Sequence, residues 1–395
     1  MWQRTKNLYH LGVAVLANTY FAFPGRKLTI IGITGTDGKT TTTTLVYHIL
    51  KTAGKQVSLI STVAAYIGDK TFDTGFHVTN PASIALQRFL HGIAKLGTKK
   101  ERNYLVLEVT SHGIDQNRIW GIPFAIAGLT NITHEHLDYH KTYENYVATK
   151  ARLLKRANIA IINKDDGSFP LVKKNLGNKK MITYGKKNAD VTLKTVSFQT
   201  KLLGDYNISN CLLAVAICKE LGIKDSDIQK GIATFTPPIG RTEIVYQKDF
   251  TVMVDFAHTP NALEQVLSAI RPMVKGRLIH VFGSAGLRDV TKRPLMGKAA
   301  SKYDDIIILT AEDPRSEKIA DITRQIKSGI TKKSVQIVEI PNRKEAILYA
   351  ISHAKKGDFI VTTGKAHEKS MNYGTGEEKW DEFAAIKEGL QRKGV

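Results

Sequence analysis

Strand-length apolar runs alternate with longer amphipathic stretches along almost the whole chain. The run "KLTIIGI" is apolar at nearly every position, as a strand covered on both faces requires. After a glycine-rich turn, "TTTTLVYHILKTAG" reads as a helix that Gly54 can end. "YLVLEV" and "FAIAGLTNI" are further apolar strands running into polar loops, and "ANIAIINKDD" repeats the pattern after a helix over residues 142–157. This grammar predicts an α/β fold, a parallel sheet covered by helices, with ligands gathered beyond the carboxyl ends of the strands. Pro237, Pro238 and Gly240 in "FTPPIGRTE" break the pattern. The alternation then restarts with "FTVMVDFAHTP", "RLIHVFGSAG", "DDIIILTAEDP" and "DFIVTTGKAHE". Three segments are therefore expected: a short N-terminal helical segment over 1–26, a central domain over 27–240, and a smaller α/β C-terminal domain over 241–395.

Composition changes this picture little. With 42% hydrophobic and 24% charged residues, the 395-residue chain is that of a soluble globular protein long enough for two or three domains. Cys211 and Cys218 lie seven apart in one apolar, helix-like run, which suits two buried thiols in a reducing, cytoplasmic compartment better than a disulfide frame. No secretory signal is evident. The apolar stretch "LYHLGVAVLANTYFAF", 16 residues, is short for a membrane span and predicts a packed or surface-lying helix. The net charge of +21 suits nucleic acid, anionic lipid or phosphorylated substrates alike, and a lysine-rich solvated surface accounts for most of it.

Candidate chemistry begins at "GITGTDGKTTTTT". The motif G-x-x-x-x-G-K-[ST] would need glycine at position 33, where Ile33 stands, so the match is imperfect. The physics still fits phosphate. Gly35 and Gly38 let main-chain N–H groups face an anion, Lys39 can reach terminal phosphates, and Thr40 can offer a hydroxyl to Mg²⁺ at a helix start. The central domain is thus expected to be P-loop ATPase-like and the C-terminal one Rossmann-like. A second cluster, "NITHEHLDYHKTYENYVATK", holds His134, His136, Asp138 and His140 within seven residues and ends in Lys150. Read alone, it suits zinc.

The phosphate loop, Glu108 in "LEVTSHGIDQNR", His136 in "TNITHEHLDYH", Lys150, "GDYNISN", "GRTE", "VDFAHTPNAL", "GSAGLRDVTKRPLMG", "EDPRSE" and "GKAHE" resemble, in order and spacing, the Mur ligases. These are ATP-dependent amide-bond ligases of peptidoglycan precursor synthesis. The likeness covers residues 28–385 and is strongest to the UDP-N-acetylmuramoyl-tripeptide synthetase type, which adds the third residue of the stem peptide. It implies ATP and Mg²⁺ as cofactors. A substrate carboxylate becomes an acyl phosphate, and an amine attacks it to leave amide, ADP and phosphate. The resemblance assigns catalysis to Lys39, Glu108, His136 and Lys150, and phosphate contacts to Gly35, Thr36, Asp37, Gly38, Lys39, Thr40 and Thr41. Metal contacts fall to Thr40, Glu108, His136 and, if carbamoylated, Lys150. It reduces the histidine cluster to one ligand, His136, unusual for an oxygen-preferring ion. Asn207 and Asn210 match the adenine region, Arg241 a phosphate contact and Asp255 a ribose contact, the last preferred over the alternative that Asp255 caps the helix after it.

On the substrate side the resemblance points to Thr79 and Asn80 of "TNPAS", Ser111, Arg118, Arg315, Gly364 and Glu368. Arg288, Asp289, Lys292 and Arg293 receive only electrostatic and closure roles. "EDPR" departs from the Asp-Asn-Pro-Arg of diaminopimelate adders, and "GKAHE" from Gly-Lys-Gly-His-Glu. Arg315 remains able to pair with a distal carboxylate, so meso-diaminopimelate is favoured over lysine or another diamino acid.

About 30 residues precede the phosphate loop, where the family has a uridine-nucleotide-holding domain, so the usual grip on UDP is expected to be missing. The acceptor is then a UDP-muramoyl peptide held by the remaining domains, or a lipid-linked or UDP-free peptide with peripheral membrane contact. For the N-terminal helix, packing is preferred over membrane contact. A different class, a non-ligating scaffold serving a partner amidotransferase, is opposed by Lys39, Glu108, His136, Lys150 and Arg315. No nucleic-acid recognition motif is present, no nucleic-acid partner is expected, and the chain is expected to be a monomer.

Overall fold

Uniformly apolar strands need cover on both faces, and each of the two units of this chain provides it with helices. The computed structural model describes residues 2–72, 80–97 and 102–395. The first unit runs to Thr133 and includes Thr142–Leu202 and Tyr206–Pro238; the second comprises His134–Lys141, Leu203–Asp205 and Ile239–Val395.

The first unit begins with α1 (Trp2–Tyr20), β1 (Thr29–Thr34), α2 (Lys39–Thr52), β2 (Val57–Ile60), β3 (Ala65–Ile67) and β4 (Lys70–Phe72). It continues through α3 (Ser83–Leu96), β5 (Tyr104–Glu108), α4 (Ser111–Asp115) and β6 (Phe124–Leu129). The short α5 (Leu137–His140), which groups with the second unit, interrupts it before α6 (Tyr143–Arg156), β7 (Ile159–Asn163), α7 (Phe169–Leu176) and β8 (Met181–Tyr184). Helices α8 (Asp205–Glu220) and α9 (Asp225–Thr234) close it.

Its sheet runs β4-β3-β2-β5-β1-β6-β7-β8, parallel except at the β2-β3-β4 edge. Successive strand residues point to opposite faces. Ile30, Leu105 and Leu107 therefore join α3, α6 and α7 in one core, while Ile31, Ile33 and Val106 join α2, α8 and α9 in the other. In α8 every residue from Cys211 to Cys218 is buried, as expected of a helix apolar all round. Both cysteines are free thiols, and burial pushes the Cys211 thiol up to about 12. Helix α1 buries Ala14, Ala17 and Asn18, and Asn18 Nδ2 donates to the carbonyl of Trp120 at 2.8 Å. Among the described residues no helix is long and apolar enough to cross a membrane.

The second unit adds β9 (Glu243–Gln247), β10 (Thr251–Asp255), α10 (Pro260–Ile270), β11 (Leu278–Phe282), α11 (Lys292–Tyr303), β12 (Ile306–Leu309), α12 (Ile319–Lys327), β13 (Gln336–Glu339), α13 (Arg343–Ser352) and β14 (Phe359–Thr363). A hairpin of β15 (Ser370–Asn372) and β16 (Glu377–Lys379) and then α14 (Glu382–Lys393) end it. Its six-stranded sheet, β13-β12-β11-β14-β10-β9, is parallel except for β9. The carboxyl ends of β10, β11, β12 and β14 open onto Asp255, Gly283, the 310–315 segment and Gly364.

Candidate active site

Strand β1 delivers the chain to the phosphate loop at the centre of the first sheet. Gly35 (φ 151°) and Gly38 (φ 77°) take backbone conformations closed to most side chains. Space forbids them too: a Cβ at Gly35 would lie 1.8 Å from Thr130 Oγ1, and one at Gly38 would lie 2.4 Å from Asn210 Oδ1. Asn131 braces the turn, accepting from Thr36 N at its carbonyl (2.8 Å) and from Asp37 N at Oδ1 (3.0 Å). Lys39 Nζ folds back to donate to the carbonyl of Thr36 at 2.7 Å. Thr40 and Thr41 are buried in the first turn of α2. Asn207 and Asn210 bond to each other at 2.8 Å, and Thr42 Oγ1 donates to Asn210 Oδ1 at 3.2 Å. That pair therefore props the back of the loop.

The neighbouring strand, β5, ends in Glu108. Its buried carboxylate accepts from Thr40 Oγ1 at 3.1 Å, from Thr62 N at 3.0 Å and from Thr62 Oγ1 at 2.9 Å. The Thr40 hydroxyl at the start of α2 and the Glu108 carboxylate at the end of β5 form a hard-oxygen donor set, the kind Mg²⁺ takes. Asn80 ties this region to the following turn. Its Nδ2 donates to the Glu108 carbonyl at 2.7 Å, and its Oδ1 accepts from Thr110 N and Oγ1, each at 2.8 Å. Arg118 Nη1 in turn donates to the Asn80 carbonyl at 2.7 Å, and the buried Ser111 hydroxyl has no hydrogen-bond partner. Thr79 lies outside the described residues.

Lys150, on α6, is 1% exposed. Its Nζ donates to the Gly35 carbonyl at 2.7 Å and stands 4.5 Å from the centre of the Tyr146 ring. Burial, and after it the charge of Lys39, hold its amine well below the ordinary lysine range, against a smaller opposing pull from Asp37. A deprotonated amine can add CO₂ where an ammonium cannot.

The histidine cluster does not close on a single point. Among the described residues no three His, Cys, Asp or Glu side chains converge to hold a metal ion. His134 Nε2 pairs with Thr291 Oγ1 at 2.8 Å, His140 is buried, and His136 sits in a left-handed turn (φ 58°) with Nδ1 3.8 Å from Glu135 Oε1. Glu135 is held in turn by buried Lys292 at 3.2 Å.

Elsewhere in the second unit, Asp255 fixes its own turn, accepting from Thr242 N and Ala257 N at 2.7 Å each. The helix cap is Thr259, so the capping alternative for Asp255 is excluded. The Arg241 guanidinium stacks 4.4 Å from the Phe256 ring centre. Buried Lys365 joins Asp313 Oδ1 at 2.9 Å to Glu368 Oε2 at 2.6 Å. Arg315 is left-handed (φ 53°), donates its main-chain N–H to the Asn372 carbonyl at 2.9 Å, and donates Nη1 to the Gly286 carbonyl. At Gly364 (φ 99°) a Cβ would strike Glu312 Oε2 at 2.2 Å.

Four supporting residues escaped the sequence reading. Thr62 follows a strand with no motif around it, and nothing in one sequence marks Glu135 or Asn131. Tyr146 was legible, since it lies four residues before Lys150 and so on the same face of one helix.

A glycine-rich loop between a central parallel strand and a helix, with a buried carboxylate one strand away, defines a P-loop-type α/β domain. The sequence matches the Mur ligase middle domain over residues 33–218 and the Mur ligase glutamate ligase domain over residues 240–366. It is 40% identical to the UDP-N-acetylmuramoyl-L-alanyl-D-glutamate–2,6-diaminopimelate ligase 1 of Clostridium acetobutylicum, over 96% of this chain and 81% of that one. The corresponding ligase of Aquifex aeolicus is 41% identical over 89% of this chain and 75% of its own. A solved structure of such a diaminopimelate ligase aligns with a TM-score of 0.60 at 29% identity, covering 93% of this chain and 79% of that one. The chain belongs to the Mur ligase family.

Proposed function

We propose that this chain is a cytoplasmic ATP-dependent amide ligase that joins a diamino acid, meso-diaminopimelate in the first instance, to the carboxylate of a muramoyl dipeptide through an acyl phosphate. The observation that carries the reading is the assembly around the phosphate loop: Lys39, the Thr40–Glu108 pair and buried Lys150 all bear on residues 35–40. Two relatives named for adding 2,6-diaminopimelate, at 40% and 41% identity, support the choice of amino acid.

In this reading Lys39 and the loop N–H groups bind the ATP phosphates and offset their charge. Thr40 and Glu108 hold Mg²⁺, which supplies charge neutralisation during phosphoryl transfer. His136 is assigned to the same ion, on resemblance alone. Lys150 acts as its carbamate: the neutral amine nitrogen bonds to the CO₂ carbon, one proton leaves that nitrogen, and an uncharged amine becomes an anionic oxygen donor. Asn207, Asn210, Arg241 and Asp255 serve the nucleotide. Asn80, Ser111 and Arg118 face the acceptor; Arg315, Gly364 and Glu368 face the amino acid.

Phosphate release, measured while UDP-muramoyl dipeptide and its UDP-free form are crossed with diaminopimelate, lysine and ornithine, tests this directly. Release is expected only with acceptor and amino acid together, and fastest with diaminopimelate. Release independent of both would overturn the reading.

A further inference from the structure

Helix α1 is amphipathic in an unusual sense: one side packs, and the other is apolar yet uncovered. Ala14, Ala17 and Asn18 are buried, whereas Leu8, Tyr9, Leu16 and Tyr20 are 68%, 69%, 71% and 83% exposed. At about 100° per residue, those four side chains span roughly 120° of the helix, opposite the buried set. From Thr5 onward the other positions within that arc are Thr5, Gly12 and Thr19, all exposed and none charged. The arc is therefore free of charge over three turns, with large apolar side chains at both ends and the small Gly12 between them, and scattered single exposures do not explain it.

Charge identifies what would cover it. Residues 1–36 contain Arg4, Lys6, Arg26 and Lys27 and not one acid; the first carboxylate of the chain is Asp37. Exposed Lys6 lies near the start of the stripe, and exposed Arg26 and Lys27 follow its end. A protein partner of ordinary composition would need acids opposite these cations and a matched apolar groove. A bilayer of anionic phospholipid supplies both at once, negative headgroups for the lysines and arginines and an acyl boundary for leucine and tyrosine. Tyrosine suits that boundary, its ring in the apolar layer and its hydroxyl in water. The whole chain, at +21, adds long-range attraction to the same surface.

We propose that α1 lies in the interface of an anionic phospholipid membrane, anchored by Leu8, Tyr9, Leu16 and Tyr20, and so holds the first unit at a lipid surface. The inference is independent of the ligase reading.

The test is flotation of the full chain with vesicles of phosphatidylglycerol and phosphatidylcholine, and with phosphatidylcholine alone, at low and physiological salt. Binding to the anionic vesicles, weak on neutral ones, should fall at least about tenfold in Leu16→Glu and again in Leu8→Glu/Leu16→Glu. Because these side chains are exposed, melting temperature and phosphate release with soluble substrates should not change. Leu16→Ser provides a milder variant should the charged ones fold poorly. No binding at low salt would overturn the proposal. So would binding indifferent to Leu16→Glu, which would assign attraction to the general cationic surface. A concentration-dependent dimer that Leu16→Glu dissolves would also overturn it, assigning the stripe to self-association.

Discussion

The phosphate loop of the first unit and the strand ends and helices of the second hold their lysines and arginines in opposite ways. In the first, Lys39 and Lys150 each donate to a main-chain carbonyl of the phosphate loop, Thr36 and Gly35 respectively. In the second, cations are interlocked with acids: Lys365 with Asp313 and Glu368, Arg343 with Glu382, Arg293 with Glu317 and Lys292 with Glu135. A carbonyl is a weaker partner than a carboxylate, so Lys39 can be drawn away by a phosphate at little cost. The interlocked set instead presents near-balanced charge, which suits a zwitterionic amino acid better than a polyanion. The contrast teaches how the labour is divided: the phosphate loop leaves the charge of Lys39 available, whereas the interlocked set of the second unit cancels its own.

Lys150 breaks the comparison most severely. Lys150→Ala should lower turnover by at least about a hundredfold, as expected if its carbamate is an oxygen donor to the metal ion. Added short carboxylic acids should restore part of the rate by standing in for the carbamate. Isotope-labelled bicarbonate should give a carbamate resonance in the native protein and none in the variant. Full turnover of Lys150→Ala would remove the lysine from the chemistry and leave its burial as a packing feature.

Two smaller changes sharpen the contrast from either side. Thr62→Ala deletes one of the two hydrogen bonds by which Thr62 orients Glu108, the hydroxyl one, and should slow turnover about tenfold with little change in KM for the amino acid. The main-chain bond survives the substitution, which limits the effect. In the second unit, Arg315→Lys keeps charge but loses the planar fork, so kcat/KM for diaminopimelate should fall on the order of thirtyfold. Lysine, which has no distal carboxylate, should be affected far less. Equal losses for both amino acids would show that Arg315 supports the loop rather than reading the substrate.

How much of this was legible follows from burial. β1, β5, β6 and β10 are apolar because they are covered on both faces, and each could be read as a strand from composition alone. β4 and β16 are exposed throughout, β13 nearly so, and β9 has no fully buried residue, hence none carries a buried period to detect. The phosphate loop announced itself because glycine, lysine and threonine do specific work at fixed offsets. The histidine cluster misled as zinc for the complementary reason. Four candidate ligands close in sequence say nothing about convergence, and in the fold the three histidines diverge onto Thr291, Glu135 and the core. Diaminopimelate selection stayed open because Glu312 and Asp313 act through Lys365, Gly364 and Asn372, contacts of long sequence separation.

The smallest predicted effect tests the charge-balanced unit through its stability. Burial raises the Glu312 carboxyl from the usual 4.5 to about 7, with Lys292 and Arg343 opposing and Asp313 adding to the rise. Its folded form therefore binds a proton that the unfolded form lacks, so its stabilisation is complete below pH 4.5 and is lost as pH rises toward 7. His367 does the reverse. Burial, with Arg241 and Lys365 nearby, drops its imidazole from 6.5 to about 3, so stability is retained above pH 6.5 and lost as pH falls toward 3. Between 4.5 and 6.5 the two slopes oppose, and the native protein should show a flattened pH dependence. Thermal midpoints across that window should rise with pH in Glu312→Gln, where only the histidine slope remains, and fall with pH in His367→Asn. Profiles unchanged from the native protein would mean that neither group titrates differently on folding. A transition assigned to the first unit should be indifferent to both substitutions, because Glu312 and His367 belong to the second.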